Sequence, residues 1–133
     1  MAFTGNFMCT SFKVEILKAV HNFTNSTGNT FRCAMYTNSA TFTAATTAYT
    51  ASNEVTGTAY VAKGNALVNV TPTSTSTTAF TDFSDTTWSS STITARGAMI
   101  FNDTASGDPS VVILDFGSNK SSSSSDFTIV FPT

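Results

Sequence analysis

The chain has 133 residues, a formal net charge of -2 and only 11% charged residues, so it fits one domain with a buried core and carries no basic face to drive binding to nucleic acid or an anionic membrane. No apolar run reaches the roughly 20 residues of a membrane-spanning helix, and the N-terminus lacks a charged segment followed by an apolar one, which leads us to expect synthesis in a cytoplasm. Ser and Thr supply the solubility that charges do not, and Thr in particular suits an exposed strand position.

In chain order, residues 1–9 read as a short arm carrying Phe3 and Phe7, two aromatic side chains better suited to an interface than to a core. Thr10 to Asn22 has the one helical pattern: Phe12, Ile16, Ala19 or Val20 and Phe23 recur at spacings of three and four, with Thr10 or Ser11 as N-cap. Thr30 to Thr37 alternates as a strand, and Thr41 to Asn53 reads as a long loop with at most one short edge strand, able to make contacts. Gly57–Ala62 and Ala66–Val70 flank Lys63-Gly64-Asn65 as a hairpin, Pro72 to Thr78 as a loop, and Ala79–Phe83 as a strand.

Thr92 to Asn102 is the expected central strand. Ile93, Ala95, Gly97, Met99 and Phe101 alternate with Thr92, Thr94 and Arg96, and the pattern breaks at Ala98 and Ile100, as where both faces are covered. A loop follows to Ser110, then an apolar strand Val111–Phe116, a Ser-rich turn Gly117–Ser125 and a closing strand Asp126–Phe131 before Pro132. The sum is a mainly β chain, an antiparallel β-sandwich of jelly-roll type with one N-terminal α-helix: an arm over 1–9 and a single domain over 10–133, with its helix over 10–22.

Ingredients for catalysis are few. His21 is the only histidine and reads as a cap at the helix end, out of reach of Cys9 across the helix. Asp82 and Asp85 fall on opposite strand faces and so read as strand-end and turn residues. Asp103 and Asp108 lack the spacing of an EF-hand loop. No catalytic residue, metal site or cofactor is expected. Cys9 and Cys33 are expected as reduced, buried thiols, because no secretion signal accompanies them. Arg96 reads as the partner of Asp82, Asp85 or Asp115, or alternatively as a contact between subunits.

Several segments resemble small structural proteins of tailed bacteriophages, including cyanophages: Cys9–Thr24, Phe31–Thr37, Thr47–Val55, Ala95–Asn102 (Ala-Arg-Gly-Ala-Met-Ile-Phe-Asn), Val112–Gly117 and Phe127–Pro132. The likeness covers nearly the whole chain in strand and helix patterns. It implies a capsid decoration (cement) protein on the virion surface that binds the major capsid protein and itself. The oligomer expected is a trimer around a local three-fold, with Phe3, Phe7 and Arg96 as interface residues and no role as an enzyme. The alternative it leaves is a tail or fibre component, in which Thr41–Asn53 carries host contacts.

Overall fold

The computed structural model describes residues 3–133. The chain is mainly β with antiparallel sheets and one short N-terminal helix, the expected class. The elements are β1 (Phe7–Met8), α1 (Thr10–Leu17), β2 (Phe31–Tyr36), β3 (Asn65–Ala66), β4 (Asn69–Thr75), β5 (Thr78–Phe83), β6 (Thr86–Asn102) and β7 (Ser110–Ile129). Five of the strands form one sheet in the order β1-β7-β6-β2-β3, and β4 with β5 forms a separate ribbon.

The frame is β6 with β7, antiparallel from Thr86↔Ile129 to Phe101↔Ser110. Its two halves differ as the sequence pattern requires. From Thr86 to Ala95 burial alternates, with Trp88 and Ile93 turned inward, while every residue from Ala95 to Asn102 is buried. Between the halves the register slips, so that Arg96 alone opposes Phe116–Asn119, a bulge with Gly117 at φ 77°. Bulges bend and twist a strand. The bent β6 thus borders the β2–β3 pair on two sides: its second half pairs with β2, and its first half meets Asn65 of β3, whose Nδ2 donates to Thr86 Oγ1 (3.0 Å) and Thr87 O (3.1 Å).

Cross-strand neighbours share a face. Phe31, Cys33 and Met35 therefore lie with Asn102, Ile100 and Ala98, and Arg32, Ala34 and Tyr36 with Phe101, Met99 and Gly97. Phe23 stacks on Phe31 at 4.3 Å and Phe83 approaches it at 5.7 Å, covering the first face. Phe42 covers the second, 4.7 Å from Tyr36, and Tyr49 stacks 4.7 Å from Phe101. Gly97 is needed for space: a Cβ there would overlap both the Phe3 ring and the Leu114 carbonyl.

Four local expectations are corrected. The helix ends at Leu17, not Asn22. Ala19 takes φ 57°, and the bonds Ala19 N–H to Ile16 O and Val20 N–H to Glu15 O close it as a Schellman turn. Its N-cap is Cys9, whose side chain makes no capping bond, in place of Thr10 or Ser11. The hairpin expected across Lys63-Gly64-Asn65 does not form. Gly64 sits instead with φ 65° against the β2 backbone, where a Cβ would overlap Cys33 O, so the turn serves to lay β3 beside β2. The hairpin is β4–β5, and Pro72 is tolerated there because the register shifts between Val70 and Thr73. Finally, Gly117–Ser125 is strand, held by hydroxyl pairs such as Ser91–Ser122 (2.7 Å) and Thr94–Ser121 (2.8 Å) that a composition reading does not reveal.

An alanine with positive φ costs more than a glycine. Ala19→Gly is expected to raise stability by about 0.5–1 kcal/mol in urea unfolding. A loss of stability would mean that the Schellman turn is not the helix terminus.

Candidate functional site

Most charged and polar side chains capable of chemistry are spent on one another. The His21 side chain is buried behind α1, its Nε2 2.6 Å from Glu15 Oε2. Its Nδ1 faces Asn102 Nδ2 at 3.1 Å, which makes Nε2 the protonated nitrogen toward Glu15. Asn102 also donates to Asn29 Oδ1 (2.9 Å) and accepts from the Thr104 and Ala105 N–H groups (3.0 and 3.1 Å). The helix-capping role expected of His21 is therefore replaced by a bridge from the segment after α1 to the β6–β7 turn. The early helix stop places the imidazole against the sheet.

A second cluster closes the loop that carries Asp103 and Asp108. Lys63 Nζ sits 2.7 Å from Asp103 and 2.8 Å from Asp108, over the Tyr49 and Phe101 rings, so the two carboxylates converge on a cation of the chain itself. Hydrogen bonds to Asp103 first and then Asp108 raise the Lys63 ammonium above its usual range. Glu54 accepts from the Tyr49 and Tyr60 hydroxyls (2.6 and 2.7 Å) and from the Lys63 N–H (2.7 Å). Burial, followed by this carboxylate, pushes the Tyr49 hydroxyl up to about 12. Among the described residues no three His, Cys, Asp or Glu side chains converge as a metal-ligand set.

Asp82 caps the Phe83 N–H at 2.7 Å, and Asp85 accepts from the Phe131 N–H at 2.9 Å, the strand-end and turn roles expected of them. Cys9 and Cys33 are free, buried thiols, and burial pushes Cys33 up to about 12, where it is a small hydrophobe with no thiolate chemistry.

Of the residues expected at an interface, Arg96 is 7% exposed and its guanidinium pairs with Asp115, the third of its anticipated partners. Phe3 is 1% exposed, packed on Phe42 at 5.7 Å and below the Arg96 guanidinium at 5.8 Å. It belongs to this chain's own core, which corrects the reading of a free arm. The physical reason is the absent side chain of Gly97, which leaves the ring a seat on the sheet. Phe7 is half-buried, in β1, opposite Ile113 of β7.

Asp115 lies below the usual carboxylate range, first because the Gly117 N–H donates to it and then because of Arg96, against the opposing effect of burial. A carboxylate depressed in the folded state contributes stability above its unfolded value of about 4, and that stability is lost as pH falls through the folded value. Asp115→Asn is expected to cost about 2 kcal/mol at pH 7 and progressively less in the acid range. An equal cost at pH 7 and pH 3 would mean that the charge is not what matters.

The surface carries a feature that periodicity did not single out. In α1 only Phe12 is buried, while Val14, Ile16 and Leu17 are 49%, 47% and 87% exposed, next to Met8 at 48%. The available signal was that Val14 and Leu17 lie off the Phe12–Ile16 stripe, making the helix apolar on more than one side. The β4–β5 ribbon likewise leaves Val70 and Phe80 open at 42% and 48%. Thr41–Asn53 is a loop as expected, but a tethered one: Phe42 is buried, Tyr36 Oη donates to Thr50 O (2.6 Å) and Ala48 bridges to Pro109.

No protein-family model, curated protein or solved structure matches this chain.

Proposed function

We propose that this chain is a structural protein of a tailed-phage virion, a capsid decoration protein that binds across major capsid protein subunits as a homo-oligomer and stabilises the head. The observation that carries the reading is the helix α1, which buries one apolar side chain in its own domain and presents Val14, Ile16 and Leu17 to the outside. A cluster of this kind on a protein with few charges is suited to docking on another protein. The use of His21, Glu54, Lys63 and Asp103 in internal bonds gives them structural work and favours a scaffold over a catalyst. Repeated weak contacts around a symmetric shell then add by multivalency. Phe7 beside Met8 borders the docking helix, while Phe3 and Arg96 stiffen the sheet behind it.

The test is the copy number of the chain in purified virions against the major capsid protein. A ratio near one to one, or a simple fraction of it, supports the shell position, and Leu17→Asp should then abolish capsid binding while leaving the melt unchanged. A few copies that leave with the tail would favour the tail component, with the exposed β4–β5 ribbon as the contact element in place of the tethered Thr41–Asn53 loop.

A further inference from the structure

We propose that the β4–β5 ribbon of one copy packs across α1 of the next, so that two different patches of the same chain hold the copies together head to tail. The inference rests on the homo-oligomer of the capsid reading and names the surfaces that join it.

A two-stranded ribbon is marginal in water unless further strands or a helix cover its apolar face. Among the described residues β4 pairs with β5 and no other strand joins them. Cross-strand partners share a face, and so do alternate residues of one strand. The register Asn69↔Phe83 and Val70↔Asp82 therefore sorts the ribbon into two faces. Asn69 and Phe83 are buried toward the core, which turns Val70, Phe80 and Asp82 away from it. Val68 stands in line with Val70, its carbonyl carrying the ladder on to the Ser84 N–H. Val68, Val70 and Phe80 are each about half exposed, so three apolar side chains surround one carboxylate on a face that the chain leaves open.

The one helix lacks the complementary cover. It packs against β7, with Phe12 as its single buried side chain, and not against the ribbon. At about 100° per residue, Val14 and Leu17 stand together on the side opposite Phe12, with Lys13 on one flank and Lys18 on the other. All four are exposed. Among the described residues Arg32, Lys63 and Arg96 have ion pairs within the chain, whereas Lys13, Lys18 and Asp82 have none. An apolar stripe between two lysines thus matches an apolar face around a carboxylate, and helix on sheet is the arrangement that buries both. This chain carries both halves of the match, which makes a second copy the occupant. Because the patches differ, the contact is heterologous and repeats from copy to copy until a ring closes. Ile16 lies about 100° round the helix from Leu17, outside this contact, and with Met8 remains for the shell.

Sedimentation of the full chain over a concentration series should show an oligomer. Leu17→Asp and Phe80→Asp should each weaken it tenfold or more while melting like the wild type, since both side chains are exposed in the single copy. A short bismaleimide then identifies the contact: in a mixture of Leu17→Cys and Phe80→Cys chains it should join unlike chains, and with either variant alone it should join none. Both native cysteines are buried. A wild type that stays monomeric throughout overturns the proposal, as does an oligomer that survives both aspartate variants or a bismaleimide that joins Leu17→Cys chains to one another. These readouts need no capsid, so they hold or fail apart from the capsid reading, which virion copy number decides.

Discussion

Phe3→Ala is expected to lower stability by about 3–5 kcal/mol, among the largest effects of any single truncation in this chain. The ring is 1% exposed, wedged between Phe42, the backbone at Gly97 and the Arg96 guanidinium. Its removal leaves a cavity over the bend of β6, where the sheet has no side chain to collapse into the space, because the residue beneath is glycine. It also strips the apolar cover from the Arg96–Asp115 pair and admits water to it. Phe3→Leu, which keeps most of the volume, should cost under about 1.5 kcal/mol. Chemical denaturation of both variants checks this. A loss below 1 kcal/mol for the alanine variant would return Phe3 to the status of a surface arm. By the same logic, deleting Met1–Met8 should destabilise the domain itself, because it removes Phe3, β1 and Asn6, whose Oδ1 accepts from the Asp115 N–H at 2.6 Å.

Asn102→Ala should cost about 3–4 kcal/mol, since each buried polar group left without a partner costs about 1–3 kcal/mol and this side chain serves several at once. Asn102 is 0% exposed and joins three parts of the chain distant in sequence: His21 after α1, Asn29 before β2, and the Thr104 and Ala105 N–H groups of the β6–β7 turn. Asn102→Asp separates the components. It keeps the acceptor for the turn but replaces the donor toward His21 Nδ1 with an acceptor. His21 Nδ1 and Asn29 Oδ1 would then both face an acceptor, so Asn102→Asp should cost as much as Asn102→Ala or more in urea unfolding. A cost well below that of the alanine variant would break the proposed link between these side chains.

The class of fold and much of its frame are legible in the residue pattern alone. Alternation from Thr92 through Gly97, broken where Ala98 and Ile100 fall on the polar positions, set a strand exposed on one face in its first half and buried on both in its second, and the structure has that division. Local period is legible because the inward and outward faces of a strand alternate within the segment itself. The expected strand Thr30–Thr37 is β2, Val111–Phe116 falls within β7, and the start of the helix was in place for the same reason.

Tertiary structure alone decided the rest. The helix stops at Leu17 in a Schellman turn, and the chain beyond it is tied to the sheet where His21 meets Asn102, 81 positions away. Lys63-Gly64-Asn65 has the composition of a hairpin turn, but close approach to Cys33 gives it another use. The Ser run is a strand because its hydroxyls find Ser91 and Thr94 across β6, a pairing that no window on the run contains. Phe3 looked like an arm because nothing near it in sequence covers it. Gly97, Arg96 and Phe42 cover it, brought there by the bend in β6, and a partner set by long-range register is invisible to any local pattern.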